Sequence, residues 1–283
     1  MTRIGTSPAC PFVKDVPTIK KFGEFFGVFS GNVYFCTQKQ NKNIRMTTIL
    51  VIHAKHLTER LQHMEQQLKD WPGKVAYILD DDKNELTDEL MAAYIKPGCE
   101  LDNRSGATSC AIKHLHACEY IVDHHLEGAL VLEDDIVLHD HFTEDFQQTM
   151  AEYEQKHAQQ PVIISYEDSS LLFIPRSRRV KGQWLYEAPH GRVRFNGAIY
   201  INQRAAKAIV DDVRKNKCDI AVDHYYMHLY KKGVLQMLWC EPSIATQGSF
   251  SGTFISSMGQ IRNFEGLRWK LKYVYKRLIY WFR

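Results

Sequence analysis

The chain contains no CxxC pair, no internal repeat and no apolar run approaching the length needed to cross a bilayer. A spanning helix needs about 20 mostly apolar residues, so an integral helical membrane protein is not expected. Seven cysteines, odd in number and irregularly spaced, do not make a disulfide framework and fit a reducing compartment. Without CxxC a structural zinc site is not expected either. No cleavable-signal pattern opens the chain, because Lys14, Asp15, Lys20 and Lys21 interrupt any apolar core. A net charge of +3 is too small to argue for a nucleic-acid partner. A cytoplasmic protein is the expectation.

What is present is ordinary globular material: 283 residues, 45% hydrophobic and 24% charged, enough for one large domain with a substantial core. Its focal stretch is GALVLEDDIVL (128–138). Ala129 to Leu132 run apolar without alternation, as a strand covered on both faces does. That strand delivers Glu133, Asp134 and Asp135 to its end, and Ile136–Leu138 resume the apolar run. Three adjacent carboxylates repel one another near a domain interior, unless a cation neutralises them, and hard oxygen ligands suit Mg²⁺ or Mn²⁺. The alternative is a polar loop with solvated acids.

Residues 1–45 carry an aromatic cluster (Phe22, Phe25, Phe26, Val28, Phe29) and are expected to be an extension, with Met46 opening the folded domain. From there strands and helices alternate. Thr48–Ile52 reads as a strand, and Leu57, Leu61, Met64 and Leu68 then recur at helical spacing, with Glu59, Arg60, Gln62 and Gln66 on the other face. Val75–Leu79 is a second strand, followed by acidic Asp80–Asp82, for which a solvated turn is the simpler expectation than a metal role. Thr87–Ile95 is a short helix. A longer one starts near Gly106–Ser109, with Ala111, Leu115, Cys118 and Val122 as its apolar stripe, and leads into the acidic strand. The alternation implies a largely parallel sheet, whose ligands sit beyond the carboxyl ends of the strands. That position favours a site at Glu133–Asp135.

Phe142–Ala158 is helix-compatible and Val162–Ser165 a strand. Leu171–Ile174 and Trp184–Ala188 read as strands around a basic insert, Pro175–Gly182, which either contacts an anion or is a solvated tip. Ala198–Ile201 is a strand, and Asn202 is the expected N-cap of the helix that follows. Asp223 opens a helical stretch ended by Gly233, Gln236–Trp239 is a strand, and 242–258 is rich in Ser, Gly and Thr. His139 and His141 have metal-ligand chemistry but are read as solvated.

Several of these pieces together resemble glycosyltransferase family 25, the lipopolysaccharide and lipooligosaccharide sugar transferases. ILVIHAKHLTERLQHM (49–64) is similar to the family's opening strand and helix. GATSCAIKHLHA (106–117) resembles its G-x-I-G-C-x-L-S-H segment, and ALVLEDDIVL (129–138) its E-D-D motif. FNGAIYINQRAAKAIV (195–210), VDHYY (222–226) and TQGSFSGTFISS (246–257) resemble its later segments. The likeness spans about Thr47–Ser257 in order and spacing. His53 stands where the family often has Asn, Ser109 where Gly is usual and Lys113 where Ser is usual.

The resemblance implies an α/β protein of GT-A type, a nucleotide-diphospho-sugar transferase fold with a mostly parallel central sheet flanked by helices, over 46–258. It implies a UDP-sugar donor, often UDP-galactose, a glycolipid or oligosaccharide acceptor, and Mn²⁺ or Mg²⁺. Asp135 is the first candidate for direct coordination. Asp134 is placed at the metal or the donor, and Glu133 in a supporting role on the donor side. Asp223 matches the family's later Asp and is the candidate base of an inverting transfer, with an N-cap as its alternative. His114 matches the family His, and with Arg60 and Gln247 is a candidate for donor contact.

The remaining tail, 259–283, is expected to form a basic amphipathic helix. Leu267, Leu271, Val274, Leu278 and Trp281 fall at helical spacing over 266–283, beside Arg268, Lys270, Lys272, Lys276, Arg277 and Arg283. This composition suits an anionic membrane surface, placing the protein peripherally on the inner face of the cytoplasmic membrane; packing against the domain is the alternative. Two other functions stay open: a sugar-nucleotide nucleotidyltransferase, although AKHLTER (54–60) has no Gly to cradle a nucleotide, and a catalytically inactive membrane-associated scaffold.

Overall fold

Alternating side chains of the central strands feed two separate cores. A computed structural model describes residues 13–15, 46–254 and 265–283. Strands β1 (Val13–Asp15), β2 (Thr48–Ile52), β3 (Val75–Ile78), β4 (Gly128–Glu133), β6 (Val162–Ser165), β7 (Leu185–Glu187), β8 (Ala198–Asn202) and β9 (Gln236–Cys240) form one eight-stranded sheet, in the order β1-β3-β2-β4-β8-β6-β9-β7. Leu50, Ile52, Ala129 and Val131 point to one face, where α3 (Gly106–Asp123), α5 (Gln203–Asn216) and α6 (Val222–Lys231) cover them. Ile49, Val51, Leu130 and Leu132 point to the other, under α1 (Thr58–Leu68) and α4 (Phe142–Lys156). Burial on both faces explains why β2 and β4 read as unbroken apolar runs. A short helix α2 (Asp88–Tyr94) starts at Thr87, whose hydroxyl accepts from the Leu90 amide.

The sheet is mixed. β3, β2 and β4 are parallel, as are β6 and β9, whereas β8 runs antiparallel to both β4 and β6. The parallel half follows from the strand–helix alternation; β8 breaks it because the long irregular segment before it, not a crossover helix, returns the chain. Asn202 caps α5 as expected: its side-chain oxygen accepts from the Ala205 and Val162 amides, and its amide donates to Tyr153 and Gln160.

Leu171–Ile174 is not a strand. Leu171 adopts a positive φ of 55°, and the backbone groups that a ladder would use are taken by side chains. Arg194 donates to the Leu172 carbonyl, Arg179 to that of Ile174, and the Ile174 amide donates to Glu241. Arg179, Arg194 and Arg277 converge on the buried Glu241 carboxylate, at 2.8, 3.4 and 2.8 Å. The basic insert is thus partly folded inward through Arg179, and Arg176 stacks over Trp281 at 4.0 Å. The aromatic cluster expected around Phe22–Phe29 lies outside the described residues.

Helix α8 (Glu265–Phe282) presents two faces. Inward, Trp269 donates to the Ser169 carbonyl, Arg277 reaches Glu241, and Tyr273 and Tyr280 pack edge-on against Phe173. Outward, Leu267, Leu271, Val274, Leu278 and Trp281 are each more than half exposed. Among the described residues no helix is long and apolar enough to cross a membrane.

Candidate functional site

Strand polarity brings the polar chemistry to one edge. β2, β3, β4 and β6 end on the same side of the sheet, and β8 begins there. The residues that follow or precede them are His53, Asp80–Asp82, Glu133–Asp135, Glu167–Asp168 and Asn196–Gly197. Ligands of open α/β sheets bind at this edge. A depression of about 1520 Å³ opens at the opposite edge among Thr48, Gly128 and Asn202. It holds none of these acids, so strand polarity rather than cavity size locates the site.

The three acids of the triplet live in different surroundings. β2 pairs with β4 so that Ile52 stands opposite Glu133, which sets His53 beside Asp134. Both Asp134 oxygens are taken: Oδ1 accepts from Arg60 at 2.7 Å, and Oδ2 meets His53 Nδ1 at 2.9 Å and the Ala54 amide at 3.2 Å. Burial alone would raise the Asp134 carboxyl, but His53 and Arg60 outweigh it and hold the pKa below the ordinary value. Arg60, expected on the solvent face of α1, is instead buried against this aspartate. A buried carboxylate stripped of such a partner costs about 3–5 kcal/mol, which is why this arginine turns inward.

Asp135 is equally buried, but its Oδ1 has no partner. Burial first, then the charge of Glu133, push its carboxyl up to about 6. Glu133 is the partly exposed member. Its Oε1 lies 3.3 Å from His114 Nε2 and 3.6 Å from Cys110 Sγ, and its Oε2 accepts from Gln247 Nε2 at 3.1 Å. Gln247 arrives because β10 (Ala245–Gln247) pairs antiparallel with β5 (Ile136–Leu138), placing it opposite Ile136. The short α7 (Gly248–Ser251) follows, and its Gly248 amide donates to the Asp135 carbonyl at 2.6 Å.

Asp223 sits in the first turn of α6, one residue inside the helix, so it is not the N-cap. Burial raises its pKa, the His224 amide offsets this, and the charge of Glu133 adds to the rise, so both acids share one field. The structure therefore gathers Arg60, His114, Glu133, Asp134, Asp135 and Gln247 by direct contact, and Asp223 joins them through the charge of Glu133 alone. His139 and His141 stay apart: His139 bonds Thr246, and His141 is exposed at the start of α4.

Sequence reasoning missed three participants. Glu167 is fully buried with neither oxygen partnered, and burial, then Glu133, Asp135 and Asp168, push it far above the carboxylate range. Asn196 is buried with its amide unpartnered. Cys110 lies one turn before His114, a spacing visible in the sequence. Gly197 lies between these groups: a Cβ there would lie 2.7 Å from Gln247 Nε2 and 2.9 Å from Glu167 Oε2, so a larger residue would push both side-chain ends aside.

The acidic run after β3 is not a solvated turn. Lys113, only 2% exposed, donates to the His53 and Leu79 carbonyls and pairs with Asp82, and Ser109 donates to the Asp81 carbonyl. Asp81 meets His116 at 2.7 Å, and Glu119 meets its other nitrogen at 3.0 Å. Burial would lower the His116 pKa, but the two carboxylates outweigh it and raise the value above 6.5. A raised folded-state pKa gives stability that is complete below pH 6.5 and lost as pH rises through the folded value. His116→Gln is expected to flatten this decline in unfolding free energy across that window, and to cost about 2–3 kcal/mol on its acid side. Denaturant titrations at a series of pH values measure both.

A mixed α/β sheet that gathers a Glu-Asp-Asp triplet at its carboxyl edge is the class that fold and site define. The model of glycosyltransferase family 25 (LPS biosynthesis protein) matches residues 46–226, and the chain belongs to that family. No curated protein matches the chain. The matched segment contains Arg60, His114, the triplet and Asp223; Gln247 and α8 lie beyond it. Membership places the chain among the glycosyltransferases of lipopolysaccharide biosynthesis, which move a sugar from a donor to an acceptor.

Proposed function

We propose that this chain, with a GT-A-type fold, moves a sugar, galactose by its likeness to the family, from a UDP-linked donor to a lipooligosaccharide or lipopolysaccharide core. The observation that carries the proposal is the convergence of the triplet, His114, Gln247 and Asp223 on one edge of the sheet. Buried carboxylate oxygens without partners, Asp135 Oδ1 and both of Glu167, fit a hard divalent cation such as Mn²⁺ or Mg²⁺. Asp135 is the residue that would hold it. Asp134 anchors Arg60 and His53, and a metal role for it requires that ion pair to open. When bound, the cation supplies positive charge to the departing diphosphate.

The chain's own groups do the rest. Arg60 lies 3.9 Å from Asp135 and adds a cation on the donor side. His114 and Gln247 hold Glu133 from two sides, fixing the carboxylate that faces the donor. Asp223 takes the proton of the acceptor hydroxyl in an inverting transfer, and its raised pKa brings it nearer to the pH at which a general base works best. The outward stripe of α8, flanked by Arg268, Lys270, Lys272 and Lys276, suits an anionic lipid surface on the cytoplasmic face, where a lipid-linked acceptor is met. No Gly-rich loop follows β2, which speaks against a nucleotidyltransferase.

The test is a donor panel. UDP-galactose, UDP-glucose, UDP-N-acetyl sugars and GDP- or CMP-sugars are each mixed with the protein, with Mn²⁺ and with chelator. Metal-dependent binding or slow hydrolysis of one UDP-sugar is expected. Silence across the panel, with UDP giving no thermal stabilisation, would favour the scaffold.

A further inference from the structure

One cluster at the carboxyl edge of the sheet has chemistry that a hard-cation site does not use. Helix α3 sets Cys110 and His114 one turn apart on the face that looks at the end of β4, where Glu133 stands. Cys110 Sγ lies 3.6 Å and His114 Nε2 3.3 Å from Glu133 Oε1, and the three ligand atoms lie within 4.8 Å of one another. Among the described residues, no other three His, Cys, Asp or Glu side chains bring their ligand atoms this close.

These separations can be compared with those a metal imposes. In tetrahedral zinc, with Zn–S about 2.3 Å and Zn–N or Zn–O about 2.0 Å, sulfur sits about 3.5 Å from a nitrogen or oxygen ligand, and nitrogen about 3.3 Å from oxygen. Two of the three edges already have these lengths. The third, Sγ to Nε2, needs to close by no more than about 1.3 Å. We infer that Cys110, His114 and Glu133 form a site for a thiophilic, zinc-class divalent cation, with one coordination position left open.

Ligand chemistry sets the metal class. A thiolate with an imidazole and one carboxylate selects Zn²⁺ or Co²⁺ over Mg²⁺ and Mn²⁺, which take oxygen. Glu133 and Cys110 are only partly buried, so a cation can approach from their side, whereas His114 lies wholly inside. Gln247 already holds the second oxygen of Glu133, as outer partners of metal ligands do. His114 Nδ1 has no such partner, which places the affinity roughly 10–100-fold below that of a site with a complete outer shell. Binding replaces the thiol proton of Cys110, which leaves to solvent. The site does not depend on the transferase proposal, since it follows from three side chains and not from the reaction.

The experiment is Co²⁺ titration of the full-length, chelator-stripped chain without any nucleotide. One cobalt per chain is expected, with a thiolate-to-cobalt charge-transfer band and the intense visible bands of four-coordinate cobalt. Zn²⁺ should bleach both, and Cys110→Ser and His114→Ala should remove the charge-transfer band. In the unsubstituted chain, Zn²⁺ should slow alkylation of Cys110 at least tenfold, read by peptide mapping; this arm needs no variant to fold. Cobalt spectra without a thiolate band, a band that survives Cys110→Ser, or unchanged alkylation would each overturn the site. A chain that hydrolyses a UDP-sugar with Mg²⁺ yet gives no thiolate–cobalt band would sink this inference and leave the transferase proposal standing.

Discussion

Asp135→Asn is expected to lower sugar transfer by about 10²–10³-fold while leaving the melting temperature unchanged or raised. The two effects separate because the residue is unfavourable to the fold as it stands. Its carboxyl is buried, one oxygen has no partner, and Glu133 and burial push its pKa up to about 6. An amide of the same shape removes a repulsive charge and keeps the volume. What disappears is the negative oxygen that the proposed Mn²⁺ or Mg²⁺ requires. Parallel thermal melts and initial rates decide the matter. A variant that melts early and loses activity in proportion to its folded fraction would make Asp135 a structural residue. Unchanged activity in a stable variant would remove it from the reaction.

Leu271→Glu together with Leu278→Glu is expected to weaken binding to anionic vesicles by on the order of 100-fold or more, with the fold intact. Burying a leucine is worth about 1.5–3 kcal/mol, and both residues now face solvent, 65% and 52% exposed. Charge at these positions therefore removes membrane contact without touching the inner face. Vesicle co-sedimentation reads the loss, and raising the salt should weaken binding of the parent chain too, because the flanking Lys and Arg are screened. Equal binding by parent and double variant would end the membrane assignment. Tyr280→Ala makes the opposite comparison: Tyr280 is 5% exposed against Phe173, so its loss should lower stability rather than lipid affinity.

What could be read from the sequence was what depends on near neighbours. The buried run before Glu133, the Asn202 cap, the stop at Gly233, and the outward stripe of α8 all express local periodicity or capping chemistry. What could not be read depends on pairings across the chain. Arg60 follows the polar rhythm of α1, and only Asp134, 74 residues on, turns it inward. Asp81 and Asp82 are an unremarkable acidic turn until α3 brings His116 and Lys113 against them. Glu167 is one more acid after a four-residue strand; its isolation from every donor is a property of the assembled edge. Leu171–Ile174 has strand composition, but arginines from elsewhere claim its carbonyls.

His53, Ser109 and Lys113 are bonded to one another's neighbourhood. Lys113 holds the His53 carbonyl and Asp82, His53 holds Asp134, and Ser109 holds the carbonyl of Asp81, next to Asp82. They form one hydrogen-bonded set. Replacing them one at a time would strand a buried partner at each step: Lys113→Ser alone leaves Asp82 without its cation. Exchange of His53, Ser109, Lys113 and Asp82 as one block is therefore expected to cost less stability than the sum of the single exchanges.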